Sequence, residues 1–146
     1  MDTLTCQIVR PDKLLYEGEA TSVVLAARTG ELGVFPKHGA EVCALGDGVM
    51  RINRPEGTDG PQQLRVVIMG GYAEVANDVL IVLATHARRI DDIEVDVVSK
   101  TRGATEAKLN ALPADDHRRA YYEEKIAWCD LLVRESEKEA AGAGAR

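Results

Sequence analysis

The chain has 146 residues, 45% of them apolar and 29% charged. That is enough to bury one core and too apolar for a disordered segment. The net charge of −6 argues against general nucleic-acid binding, which draws most of its affinity from Lys and Arg on phosphates, and it gives no support to charge-driven binding of an anionic membrane. With aromatics at only 4%, the core must rest on Val, Leu, Ile and Ala. Cys6, Cys43 and Cys129 are odd in number and widely separated, so neither a disulfide framework nor a zinc site is suggested. They read as small apolar residues of a reducing compartment. The N-terminus lacks the basic and apolar regions of a signal peptide. The longest apolar run, residues 79–84, falls far short of the ~20 residues that span a bilayer. A soluble chain with no direct membrane insertion is expected.

From the N-terminus the pattern is short and β-like. "LTCQIV" alternates Leu4, Cys6 and Ile8 with polar neighbours, a period of two. "TSVVLAA" suits a strand buried on both faces. "TGELGVFPKHG" (residues 29–39) is too broken by Gly and Pro for a helix and too apolar for a disordered loop. "GVMRIN" and "QLRVVIM" flank the turn-rich "RPEGTDGP" and read as a hairpin. "YAEVA" and "DVLIVLAT" flank Asn77-Asp78, a pair that tolerates the positive φ of a tight turn. Roughly nine short strands, spaced by about ten residues, predict an all-β sandwich or flattened barrel over residues 1–87.

After Arg88 the pattern turns helical. Asp91 and Asp92 are candidate caps. Val95, Val98, Arg102, Thr105, Leu109 and Leu112 then follow at three- and four-residue spacing, as one helix face requires. Three valines, two threonines and Gly103 make this helix weak, and Pro113 ends it. A second helix is predicted from Asp115. Its stripe is Tyr122, Ile126, Cys129 and Val133, widened by Trp128, Leu131 and Leu132. The helical hairpin spans 88–140, and the Ala/Gly-rich tail at 141–146 has nothing to bury. Between Asp116 and Glu139 five basic residues face seven acidic ones. This is either a solvated face, with pairs such as Asp130 and Arg134, or a partner-binding helix with surplus apolar surface.

Chemistry is sparse. His38, His86 and His117 share no ligand spacing, so no metal site is expected. His38 and Cys43 are five residues apart and form a conceivable nucleophilic pair, but Cys43 sits in the apolar "VCAL" and reads as core. Gly70-Gly71 lead into a strand rather than the helix a phosphate loop needs. A bulge or close backbone approach suits them better.

Residues 30–38, "GELGVFPKH", with "LGDGVMRI" (45–52) and "GGYAEVANDVLIVLA" (70–84), resemble the ε subunit of bacterial F-type ATP synthase. The likeness is specific in the β domain and architectural in the helices. It implies a non-catalytic rotor subunit of the central stalk, peripheral on the cytoplasmic side of the cell membrane. The sandwich would seat on the γ subunit and touch the polar loops of the c-ring. The hairpin would inhibit ATP hydrolysis by extending toward the catalytic α/β subunits. By this resemblance Glu31 faces the c-ring and His38 the γ contact, within an interface of Glu31, Leu32, Gly33, Val34, Phe35, Pro36 and His38. Arg118, Arg119, Tyr122, Lys125, Ile126, Trp128, Leu132 and Arg134 belong to the regulatory helix.

Three departures modify these expectations. Glu41 stands where the family usually has an apolar residue. The segment matching the nucleotide motif of some members holds Ile93, Glu94, Val97 and Val98 but lacks its Arg, the natural phosphate partner. No cofactor is therefore expected, and ATP binding should be weak or absent. The second helix is not basic overall, so inhibition should be modest or governed by apolar packing. The competing readings are a stand-alone β-sandwich binding module with a helical dimerisation hairpin, and a small Cys/His enzyme needing an exposed, acidified Cys43.

Overall fold

The computed structural model describes residues 2–144. Eight strands come first: β1 (Leu4–Arg10), β2 (Lys13–Ala20), β3 (Ser22–Ala27), β4 (Gly30–Val34), β5 (Glu41–Ala44), β6 (Gly48–Asn53), β7 (Gln63–Ala76) and β8 (Val79–Arg89). A 3₁₀ turn at Ile90–Asp92 leads to α1 (Val95–Asn110) and α2 (Arg119–Gly144). Internal contacts divide the chain after Arg89, two residues beyond the boundary expected from sequence.

The strands run in the order β2, β1, β8, β7, β6, β3, β4, with β5 on β7. One strand serves two layers. Residues 63–68 of β7 pair with β6, and residues 72–75 pair with β5. The bend between them is Gly70-Gly71, with φ of 73° and 115°, a region that glycine enters without steric cost. A Cβ on Gly71 would lie 2.1 Å from the Leu83 carbonyl oxygen, so the backbones of β7 and β8 approach more closely than any side chain permits. The two stretches read as separate strands in the sequence are thus one bent strand, which accounts for eight strands rather than nine.

The expected hairpins form. β6 pairs antiparallel with β7 across the Pro/Gly loop. β7 pairs with β8 across Asn77 (φ 53°) and Asp78 (φ 60°). β1 also runs parallel to β8, a pairing of the two ends of the sandwich. Leu4, Cys6 and Ile8 are fully buried with Val23, Leu25, Ile52, Leu80 and Val82. Burying each such aliphatic side chain stabilises the fold by about 1.5–3 kcal/mol, so this aliphatic core needs no aromatic.

In the helical unit, α1 packs along α2. Val98, Thr105, Trp128, Cys129, Leu131 and Leu132 are buried, so the widened stripe of α2 is inside. Three details differ from the sequence reading. Asp91 and Asp92 lie in the 3₁₀ turn, and the N-cap of α1 is Glu94, without a side-chain cap bond. α2 begins at Arg119 rather than near Asp115, because the Asp116 carboxylate accepts from the Arg118 N–H at 2.9 Å and holds a turn there. The helix runs on to Gly144, past the end expected at 140, and residues 145 and 146 lie outside the described residues.

Candidate docking site

The stretch that stands out in the sequence forms the edge strand β4 and the turn after it. Val34 is fully buried and Leu32 is packed against the core, so these two anchor the strand. Glu31, Gly33 and Phe35 alternate with them and face outward. Phe35 is 62% exposed. Its ring approaches Gly33, where a Cβ would stand 3.3 Å from the ring edge. Glu31 is held by Arg51 at 3.0 Å, two strands away across β3.

The turn is pinned from outside. Lys37 takes a φ of 68° and donates its backbone N–H to the Asp78 carboxylate at 2.6 Å, while its ammonium lies 3.5 Å from Asp2. The His38 N–H donates to the Phe35 carbonyl at 3.1 Å, closing the turn over Pro36. Nε2 of His38 stands 3.8 Å from the Glu41 carboxylate, and Nδ1 is 2.7 Å from the Gly39 carbonyl oxygen. The substitution noted at Glu41 thus supplies a partner for His38. A loop held at both ends loses little entropy on docking.

The structure adds a surface that sequence reasoning missed. Register places Leu14, Val9, Leu83, Tyr72 and Ala44 side by side on five successive strands. All point away from the core, since Ile8, Val82 and Ala73 beside them are buried. Leu14 is 52%, Leu83 55% and Tyr72 60% exposed. The neighbouring row on the same face is Glu17, Gln7, Ile81, Glu74 and Val42, and Val42 is 66% exposed. On the other side of Tyr72 and Leu83 lies an open hollow of about 450 Å³ bordered by Val9, Pro11, Gly71 and Thr85. The signal was present in "DVLIVLAT", whose apolar residues occupy both faces of a strand that has only one core to face.

Cys43 is half-buried. Burial, and then the neighbouring Glu41, push its thiol up from the ordinary range, while burial pushes Cys6 up to about 12. A nucleophilic Cys43 needs the opposite shift, which argues against the Cys/His enzyme reading. Among the described residues no cluster of three His, Cys, Asp or Glu could hold a metal ion, and no helix is long and apolar enough to cross a membrane.

In the helical unit the candidate residues divide by role. Trp128 and Leu132 are buried, and Ile126 and Lys125 half-buried. Half-buried Tyr122 meets exposed Tyr121 edge-on at 5.3 Å. Arg119 donates to the Leu109 and Leu112 carbonyls at 3.0 and 3.3 Å, satisfying the open end of α1. Arg118 pairs with Asp116 at 2.8 Å and Arg134 approaches Glu135 at 4.0 Å. The pairing of Asp130 with Arg134 expected from sequence gives way to a bond from Arg102 of α1 at 2.6 Å, because the neighbouring helix offers a guanidinium at shorter reach. At the first turn of α1, Ile93 is half-buried, Glu94 exposed, Val97 54% exposed and Val98 buried.

Residues 3–90 match the family described as the ATP synthase, Delta/Epsilon chain, beta-sandwich domain. The ATP synthase epsilon chain of a Cyanothece species is 34% identical over 118 residues, covering 81% of this chain and 82% of that protein. The epsilon chain of Prochlorococcus marinus is 37% identical over 106 residues, covering 73% and 74%. Two solved assemblies share the fold. A chain of the Euglena gracilis mitochondrial ATP synthase OSCP/F1/c-ring structure aligns with a TM-score of 0.62 at 20% identity, over 95% of this chain and 81% of that one. A chain of the Tetrahymena thermophila central stalk/c-ring structure aligns with a TM-score of 0.58 at 13% identity, over 92% and 97%.

Proposed function

The chain belongs to the ATP synthase delta/epsilon family, and from that premise we propose that it is a central-stalk rotor subunit. It is an accessory subunit and catalyses nothing itself. Its sandwich docks on the γ subunit and reaches the polar loops of the c-ring, on the cytoplasmic side of the cell membrane. The observation that carries this reading is the exposed apolar row through Leu14, Leu83 and Tyr72, with a pinned, glycine-bearing loop on the same unit. A lone soluble sandwich gains nothing from leaving such side chains in water. Docking recovers that free energy and couples the sandwich to its partner during rotation.

Glu31 and His38 are the rim contacts in this reading, toward the c-ring and γ respectively. Arg51 keeps the Glu31 carboxylate aimed, and Glu41 does the same for His38. The helical hairpin regulates hydrolysis through contacts with the catalytic α/β subunits. Arg118 and Arg119 already have partners within the hairpin, which supports an inhibition governed by apolar packing and modest in size. The chain binds ATP weakly or not at all, because Val97 stands where the motif has its Arg and offers phosphate no cation. Calorimetry with Mg-ATP should show no micromolar binding.

The test is a pull-down from detergent-solubilised native membranes with the tagged chain in place of the endogenous one. Recovery of a Mg-ATP-hydrolysing complex containing γ is the expected result. Recovery of the chain alone, or of a self-associated dimer, would overturn the reading in favour of a stand-alone binding module.

A further inference from the structure

The outward face of the sandwich has a pattern more specific than general stickiness. Leu14, Val9, Leu83, Tyr72 and Ala44 form one row at right angles to the strands. Neighbouring strands stand ~4.8 Å apart, so the row is about 19 Å long. An α-helix repeats every ~5.4 Å and covers that length in about 13 residues. One apolar side chain per helical turn therefore meets about one side chain per strand. The two flanks of the row differ. On one side Glu17 and Glu74 are exposed, and neither joins an ion pair among the described residues. On the other side is the open hollow of about 450 Å³ beside Gly71, where β7 carries no side chain.

We propose that this face receives an amphipathic helix of a partner subunit, laid across β2, β1, β8, β7 and β5 with a basic flank against Glu17 and Glu74. A large apolar side chain of that helix fills the hollow beside Gly71. Charge complementarity sets the orientation, because reversing the N-to-C direction of the helix across the strands would place its Lys or Arg residues over the hollow and its bulky side chain over the carboxylates. The proposal rests on the rotor reading and specifies the kind of segment that the stalk presents.

A photo-crosslinking amino acid at Tyr72, and separately at Leu83, in the full-length chain tests this in ATP synthase depleted of the native subunit. Mass spectrometry then identifies the captured peptide. Capture of one segment with apolar residues at three- and four-residue spacing and Lys or Arg along one flank is expected. Leu83→Asp should weaken binding more than tenfold with an unchanged melting temperature. The double variant E17Q/E74Q should weaken it about threefold at low salt and not at high salt, as exposed ion pairs do. Capture of a β-strand or loop segment, of this chain's own helices, or of a second copy would overturn the inference while leaving the rotor reading intact. So would full binding by Leu83→Asp. Failure of the wild-type chain to bind the depleted complex would overturn both.

Discussion

Gly71 and Asp116 show how single positions hold this molecule together. At Gly71 the conformation is left-handed and the space for a Cβ is already occupied by the Leu83 carbonyl, so relief requires moving backbone. Gly71→Ala should cost at least about 3 kcal/mol, read as a lower urea midpoint. Gly70→Ala should cost less, about 1 kcal/mol, because its new methyl would meet only the Thr85 side chain at 3.3 Å. Asp116 works through charge. The Arg118 guanidinium, and then the Arg118 N–H, hold its carboxyl well below the usual range. A depressed folded pKa means that the contribution is complete above the unfolded value of about 4 and is lost as pH falls below it. Asp116→Asn should leave the helical circular dichroism at neutral pH nearly unchanged and flatten its acid dependence below about pH 4.

Among the elements, α1 is the weak member. Its first turn has no side-chain cap. Gly103 is exposed with open space where a Cβ would stand, so nothing in the packing demands glycine there. Gly103→Ala should stabilise α1 by about 0.5–1 kcal/mol. Amide exchange along α1 in the full chain should then slow about two- to fivefold. Faster exchange would mean that the helix relies on a bend at Gly103. Arg102 partly offsets the weakness, reaching Glu106 at 2.5 Å within α1 and Asp130 at 2.6 Å on α2. Exposed pairs of this kind are screened by solvent and contribute little, so α1 remains weakly held against its partner.

At the scale of the whole molecule, the two units divide the work. In the proposed function the sandwich supplies the docking surface and the helical unit the regulation. Removal of residues 90–146 from the assembled complex should raise ATP hydrolysis only severalfold, with little effect of salt on the wild-type inhibition, if apolar packing governs it. A rise of orders of magnitude, together with wild-type inhibition that salt abolishes, would show that charge dominates. The sandwich alone should still seat on the complex in that experiment, because its apolar row and rim loop are built entirely from residues before Arg89.

The sequence by itself determined what depends on near neighbours. Alternation at Leu4, Cys6 and Ile8 marks a buried strand face, Asn77-Asp78 marks a tight turn, and three- and four-residue spacing marks both helices. The block at residues 30–38 also carries the family resemblance in the sequence itself. Only the tertiary structure decided the rest. It joined two apparent strands into one bent β7, set β1 parallel to β8, and gave Asp130 to Arg102. It also aligned Leu14, Val9, Leu83, Tyr72 and Ala44, which come from five strands scattered between residues 9 and 83. The physical reason is register. A one-residue slip in any of these strands turns its side chains to the opposite face, and register is fixed by the whole core packing at once. A surface built across strands therefore shows in the sequence only as fragments, such as the apolar run at 79–84 that fills both faces of its strand, whereas a surface built along one strand, such as the rim at Glu31 and Phe35, is legible locally.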